Sequence, residues 1–340
     1  MTVNSAARRA PHLPSDGRGN ESQPLTIVSN KPGIPIEFDF PGVEIGTAEY
    51  AEGPTGCTLV YVPAGARTAV DERGGAIGAS GRYGYNHGIL LSGGSSHGLQ
   101  AAAGVTAELL QRGGNQTGFD QLPLISGAVV YDFPARGNAI HPDVELGRAA
   151  LRAAVPGRAA SGRVGAGVSA TVGKLDHDRS EYAGQGVAFR RLGDIRVLVV
   201  TIVNAVGVVV DRDGSIVRGN WDRASGERRL PVVDYERALA AGRMPAIPSG
   251  NTTITAVVTN VRLNDIELNQ FAKQVHSSMH RAIQPFHTAV DGDILFALTT
   301  DEVSLGAEEA SVHGTYTVTP TALGAVASEV AWDAVLASAK

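Results

Sequence analysis

Apolar positions are sparse before about residue 37, where Pro, Ser, Asn and Gly dominate, and become regularly spaced from Phe38 onward. The first stretch reads as a flexible or surface-draped arm, and 38–340 as a single catalytic-sized domain. Within that domain, runs of β-branched residues interleave with segments of helical period. Residues 57–62 predict a strand closed by Pro63, and 66–70 and 74–79 predict two more. The glycine-rich turn Gly93-Gly94-Ser95-Ser96-His97-Gly98 opens a helix over about 99–111. A strand follows at 125–133, ending near Tyr131, then a helix over 143–155 with Leu146 and Leu151 inward. Residues 162–174 predict an extended, glycine-laced strand ending at Lys174. Residues 196–210 predict a long apolar β stretch broken at Asn204, with a turn at 211–214 and a return strand at 216–218.

The second half carries stronger punctuation. Residues 223–248 are charged and then proline-rich, the most exposed part of this half. From Thr252 to Asn260 hydroxyl and apolar residues alternate, a strand pattern. Asn264-Asp265-Ile266-Glu267 has the form of a capping box, opening a helix to about residue 283 with Leu268, Phe271, Ala272, Val275 and Met279 on one stripe. A buried strand is expected at 294–299. Thr319-Pro320 opens a last helix with Leu323, Val326, Val330 and Leu336 inward. Interleaved strands and helices give an α/β (α+β) class.

Composition changes this picture little. The chain has 340 residues, 43% of them hydrophobic, enough for a large core. Its 42 glycines imply tight turns and close backbone approaches. Net charge is −5, with 29 basic and 34 acidic residues mixed along the chain, so no basic face for nucleic acid or anionic membrane emerges. No signal-peptide pattern follows Met1, and the most apolar run is too short for a membrane span. A soluble, cytoplasmic protein is expected. The single cysteine, Cys57, permits no internal disulfide and reads as a small buried hydrophobe.

Candidate chemistry comes from polar residues that do not suit their surroundings. Thr252 stands where a Pro/Gly-rich approach (244–250) becomes an apolar strand, directly after Asn251. Cleavage of that bond would leave Thr252 with a free amine, of ordinary pKa about 7.7–8.0, beside its own hydroxyl. The alternative is a linker feeding an ordinary strand, and the neighbouring Thr253 leaves the nucleophile open by one residue. Lys174 at the end of an apolar run is either snorkelling or paired inside. Asn204 is either a bulge between two strands or a buried amide that donates to an oxyanion. Asp291 and Asp293 flank a glycine as an Asp-Gly turn, as anchors for an ammonium, or as coupled acids. His276 and His280 have i,i+4 spacing, but the glutamate of a zinc-protease helix is missing, so no metal and no cofactor is expected. No Ser-His-Asp pattern is visible. The turn at 93–98 lacks the lysine and spacing of a phosphate loop and is read as packing on a sheet.

Several of these pieces together resemble a known family. Gly250-Asn251-Thr252-Thr253-Ile254, the run from Leu268 through Lys273-Gln274-Val275-His276 to Arg281, and Gln284-Pro285-Phe286-His287 are similar to the nylon-oligomer hydrolases. These are endo-acting 6-aminohexanoate oligomer amidases within a self-cleaving aminopeptidase and D-amidase superfamily. Phe40-Pro41-Gly42-Val43, Glu52-Gly53-Pro54-Thr55-Gly56, 63–70, 189–194 and 322–325 extend the resemblance from about residue 38 to the end.

The resemblance implies a four-layer α/β/β/α sandwich of the N-terminal-nucleophile type. It also implies self-cleavage between Asn251 and Thr252, with the two chains staying together and assembling as a homotetramer. It further implies Thr252 as nucleophile, Lys174 and Asn204 as its active-site lysine and asparagine, Asp291 and Asp293 as paired acids, and Tyr131 beside the substrate. The aminopeptidase branch usually carries Gly-Ser at the cut and a Ser/Glu pair. Asn-Thr and Asp/Asp here favour the oligomer-hydrolase branch. Two other readings stand beside it: an exo-acting aminopeptidase or amidase on β- or D-amino-acid amides, and a glycine-rich oligomeric binding protein that never cleaves.

Overall fold

The computed structural model describes residues 9–243, 250–305 and 318–340. Eight strands carry the architecture: β1 (Glu44–Tyr50), β2 (Thr55–Glu72), β3 (Tyr85–Ser92), β4 (Ile125–Val129), β5 (Gln185–Leu192), β6 (Ile195–Asn204), β7 (Thr252–Val261) and β8 (Ile294–Val303). They pair in the order β5-β6-β7-β8-β2-β3-β4, with β1 also on β2. Neighbours are antiparallel except β7–β8 and β3–β4. The helices are α1 (Gln100–Arg112), α2 (Val144–Arg152), α3 (Pro231–Ala240), α4 (Asp265–Ser278) and α5 (Val318–Ser338).

The long strand β2 turns this path into a sandwich. Its first part, 55–61, pairs with β1 and β3, whereas 67–72 pair with β8, so one strand passes from one sheet layer into the other. Strand periodicity of two then sorts the side chains. Leu198, Val200 and Ile202 of β6, Ile254, Ala256 and Val258 of β7, and Ile294, Phe296 and Leu298 of β8 face inward between the layers. They meet Val60, Ile89 and Leu91 there. The alternate residues Val197, Val199, Val257, Leu295 and Ala297 pack outward on Leu268, Phe271 and Val275 of α4 and on Val330 and Ala331 of α5. On the opposite outside, Leu59 and Leu90 meet Ala101 and Val105 of α1 and Leu146 and Leu151 of α2. The layers are therefore α4–α5, sheet, sheet, α1–α2. Strands buried on both faces have near-continuous apolar sequences, which is why 197–203 and 254–258 show so few charges.

The close approach of α5 depends on glycine at one point. A Cβ at Gly186 of β5 would lie 1.7 Å from the Ala334 carbonyl.

Several expected elements differ. The predicted strands 57–62 and 66–70 are parts of the single strand β2, which passes Pro63 where its pairing with β3 is irregular. Pro63 costs one ladder hydrogen bond but does not end the strand. Residues 74–78 form a loop rather than a strand. Residues 162–174 are mostly turns: a 3₁₀ turn at Gly165–Gly167 and a two-residue strand at Thr171–Val172. Helix α3 falls in the segment read as charged, proline-rich and exposed. The α4 capping box forms on both sides, with Asn264 accepting from Glu267 N–H at 2.9 Å and Glu267 accepting from Asn264 N–H at 2.8 Å. That helix ends at Ser278 and runs into a 3₁₀ turn. Residues 9–37 lie along the surface. Leu13 N–H donates to the Pro134 carbonyl, Ile27–Ser29 pair with β1, and Ile34–Glu37 pair with Arg158–Ser161. Residues 244–249 of the approach to Thr252 lie outside the described residues. Among the described residues no helix is long and apolar enough to cross a membrane.

Candidate active site

Asn204 ends β6, Thr252 begins β7, and the antiparallel register sets the two opposite each other. Asn251 makes a parallel bridge to Asp291, just before β8. Three strand ends thus bring Asn204, Asn251, Thr252 and Asp291 to one edge of the sandwich. All four are buried, Thr252 being 5% exposed and Asp291 not at all.

The Asn251–Thr252 peptide is held on both sides. Its carbonyl accepts the Gly292 N–H at 2.8 Å and the hydroxyl of Thr252 itself. Residue 292 must lack a side chain, because a Cβ there would be 2.8 Å from Thr252 Oγ1 and 2.6 Å from the Ala76 carbonyl. Thr253 points to the opposite face of β7, where its buried hydroxyl has no hydrogen-bond partner among the described residues.

Lys174 reaches the same point from a loop that docks against the end of β6. Its backbone N–H donates to the Val206 carbonyl at 3.0 Å, and its Nζ donates to the Asn204 carbonyl at 2.8 Å and to Asn204 Oδ1 at 3.0 Å. Lys174 is paired inside rather than snorkelling. Asn204 Oδ1 also accepts the Thr171 N–H, while Nδ2 donates to the carbonyls of Tyr131 at 3.1 Å and Gly250 at 3.3 Å. Tyr131, 37% exposed, lies against Gly250. Gly250 has φ +86°, and a Cβ there would come within 2.3 Å of the Tyr131 ring. Pro11, Thr171, Lys174, Tyr131 and Gly250 line one crevice.

The two acids are anchored differently. Asp293 Oδ1 accepts the Thr253 N–H at 2.6 Å. Asp291 accepts the Val206 N–H on Oδ1 and the Thr288 hydroxyl and N–H on Oδ2. Burial, reinforced by the Asp293 charge, raises the Asp291 carboxyl to about 6, against the pull of the Thr288 hydroxyl and Lys174. Burial lowers the Lys174 ammonium to about 7, although the charges of Asp291 and Asp132 favour its protonation. An acid and an amine that both exchange protons near neutrality suit general acid–base work on a hydroxyl.

Other contacts were not visible from sequence. Gly74 packs against the backbone of the two acids, where a Cβ would meet Asp291 O and Asp293 N at 2.3 Å. Ala76 N–H donates to the Asp291 carbonyl at 2.9 Å. The Gly74-Gly75 pair was the only signal. Behind Tyr131, Asp132 and Arg136 form a fully buried ion pair of 2.9 Å. Asp132 also accepts the Gly94 N–H, so the turn at 93–98 spends a free N–H on an internal carboxylate. His276 and His280 do not converge: His276 is buried on Asp71 at 2.9 Å, and His280 is exposed. Among the described residues no group of three His, Cys, Asp or Glu side chains is placed to hold a metal.

A nucleophile candidate at the head of a central strand in an α/β/β/α sandwich defines an N-terminal-nucleophile type of hydrolase fold. Solved structures share it. A Burkholderia sp. β-aminopeptidase superposes with a TM-score of 0.63 at 19% identity, covering 90% of this chain and 88% of that one. The L-aminopeptidase D-Ala-esterase/amidase of Ochrobactrum anthropi, described as a variant of the Ntn hydrolase fold, gives 0.61 at 15% identity, covering 91% and 88%. Residues 38–339 match the model of peptidase family S58, and the chain belongs to that family. It is a hydrolase of amide bonds. A relative from Paenarthrobacter ureafaciens, named 6-aminohexanoate-oligomer endohydrolase, is 57% identical over all 340 residues and 96% of its own length.

Proposed function

We propose that the chain is a self-processing amidase that cuts linear 6-aminohexanoate oligomers internally, with Thr252 as nucleophile after cleavage of Asn251–Thr252. The observation that carries this reading is the setting of that bond: its carbonyl accepts both the Gly292 N–H and the hydroxyl of Thr252 itself. The name of the 57%-identical relative supports the substrate class.

In maturation, Thr252 Oγ attacks the Asn251 carbonyl and its proton passes to the Asp291/Lys174 group. The Gly292 N–H steadies the oxyanion. The C–N bond then breaks, the proton goes to the departing amine, and an ester remains. Water hydrolyses the ester, giving a large chain (1–251) and a small chain (252–340). In turnover, the freed amine takes the Thr252 proton and Oγ attacks a substrate amide. Departure of the 250–251 end releases Asn204 Nδ2 from the Gly250 carbonyl, so it can donate to the substrate oxyanion, an effect worth about 2.7–4 kcal/mol. Asp291, Asp293 and Lys174 hold the amine and Oγ in place, and Tyr131 lines the approach. The substrate C–N bond breaks, the departing amine takes the proton held by the Thr252 amine, and water hydrolyses the resulting Thr252 ester to the acid, restoring the hydroxyl. A homotetramer of processed units in the cytoplasm belongs to the same reading, and light scattering on the purified protein measures its mass.

Intact mass under denaturing conditions tests the core of it. Two fragments summing to 35.2 kDa plus one water are expected, the smaller beginning at Thr252, with Thr252→Ala remaining whole. A single stable full-length mass for the native sequence overturns self-processing, and a cut one residue later moves the nucleophile to Thr253. The aminopeptidase neighbours favour one competing reading, exo-release. Turnover of an aminoacyl p-nitroanilide without internal cuts in 6-aminohexanoate trimer and longer oligomers would establish it instead.

A further inference from the structure

The run Gln284-Pro285-Phe286-His287 has no part in the chemistry above, yet its last residue reaches the catalytic acids. His287 adopts a left-handed backbone, φ +59°, rare for a residue with a side chain and a mark of sites that surrounding contacts over-determine. In that conformation its backbone N–H and its ring Nδ1 converge on one oxygen, Asp293 Oδ2, at 3.0 and 3.1 Å. The other oxygen of Asp293 takes the Thr253 N–H. The carboxylate is therefore clamped between His287 and Thr253, the second residue after the proposed cut.

The His287 ring is itself held in place. Phe286 stacks on it at 3.9 Å with an interplanar angle of 29°. The buried His276 ring meets it edge-on at 4.4 Å, and His276 Nδ1 is fixed by Asp71, which in turn takes Arg73 Nε. Neither Nε2 has a hydrogen-bond partner among the described residues, so each ring's one polar contact is through Nδ1. A fully buried imidazole and a largely buried one, each with a one-sided contact to a carboxylate, are a costly way to fill this space. The side chain that faces the acid of the site is His287.

We propose that His287 is a positioning residue: its Nδ1–H holds the Asp293 carboxylate, and through it the start of β7, in the geometry that both self-cleavage and oligomer hydrolysis require. This rests on the Thr252 reading. It adds a residue from outside the acid, lysine and asparagine set, with Asp71–His276 as the buttress that keeps the ring in register.

The test compares full-length His287→Gly and His287→Asn with the native protein. Glycine keeps the left-handed backbone and its N–H on Asp293 while removing only the ring. Asparagine tolerates the same backbone and restores a side-chain N–H near the Nδ1 position. Self-cleavage rate by intact mass, and kcat and KM on 6-aminohexanoate trimer, are measured beside Tm. His287→Gly is expected to slow self-cleavage and lower kcat at least tenfold with KM within about twofold, and His287→Asn to return kcat to within a few-fold of native. Native kcat in the glycine variant, or an asparagine variant no better than glycine, overturns the proposal. Imidazole ¹⁵N shifts of the native protein give a second readout that needs no variant. A proton on His287 Nδ1 is expected, and an Nδ1 without a proton overturns the assignment. A native protein that neither cuts itself nor hydrolyses trimer defeats the underlying function, whereas an active native protein with an unaffected glycine variant defeats only this inference.

Discussion

Lys174 illustrates how burial sets the chemistry of single residues. Its folded-state pKa near 7 lies well below the ordinary lysine value of about 10.4. Between those two values the unfolded chain binds the extra proton, so this group makes the fold more stable as pH rises. Lys174→Met cannot show that gain. In urea denaturation of uncut Thr252→Ala protein, the stability of Thr252→Ala relative to Thr252→Ala/Lys174→Met is expected to rise by at least 1 kcal/mol, a direction and rough size set by about one pKa unit of linkage, between pH 7 and 9.5. A flat difference would show that the ammonium keeps its charge in the fold. Lys174 and Asn204 were legible because they end or interrupt apolar runs, Thr252 because it heads one, and Asp291 and Asp293 because they flank a glycine before a core strand. The family resemblance, not the pattern, supplied their expected roles. Asp132 and Arg136 were not legible, since their pairing looks like ordinary surface charge until the fold buries it. Gly74 gave only the weak signal of a glycine pair, because its reason to be glycine is a backbone more than 200 positions away.

At the scale of elements, the segments that declared themselves are those whose signal is local. The Asn264 box needs only four residues, and it forms as read. Asn264→Ala is expected to cost about 1 kcal/mol in chemical denaturation of Thr252→Ala protein, and in the native background to leave trimer hydrolysis within twofold. A large loss of activity would mean that α4 transmits its start to the site. Strands β6, β7 and β8 were legible for a similar reason: both faces are buried, so the sequence stays apolar. Segment 162–174 was not. Its glycines suit a strand pattern on paper, but Gly167 is used for an approach in which a Cβ would lie 2.2 Å from Gln185 N, a tertiary demand with no local period. Helix α3 was missed because it lies in a charged, proline-containing window read as exposed, and the fold indeed buries only Pro231 of it.

Across the whole molecule, the part after Thr252 is not an appendage. Strands β7 and β8 sit side by side in the middle of the sheet, with β6 on one flank and β2 on the other, both from the part before the cut. Under the proposed cleavage, the two chains would be held in one sheet and are expected to co-elute on gel filtration without denaturant. That placement also changes the molecularity of folding. The precursor closes its sheet as a unimolecular event, its central strands tethered at high effective concentration. The cleaved protein, once denatured, must reassemble the same sheet by collision between two molecules. Dilution over a hundredfold range should leave the refolding yield of Thr252→Ala unchanged and lower that of the mature protein, read by recovered native mass. A concentration-independent yield for both would mean that the small chain holds its own fold. Cleavage at the proposed bond would thus work as a ratchet: the sheet is assembled once, while the tether exists, and a molecule unfolded after the cut would have no first-order way back.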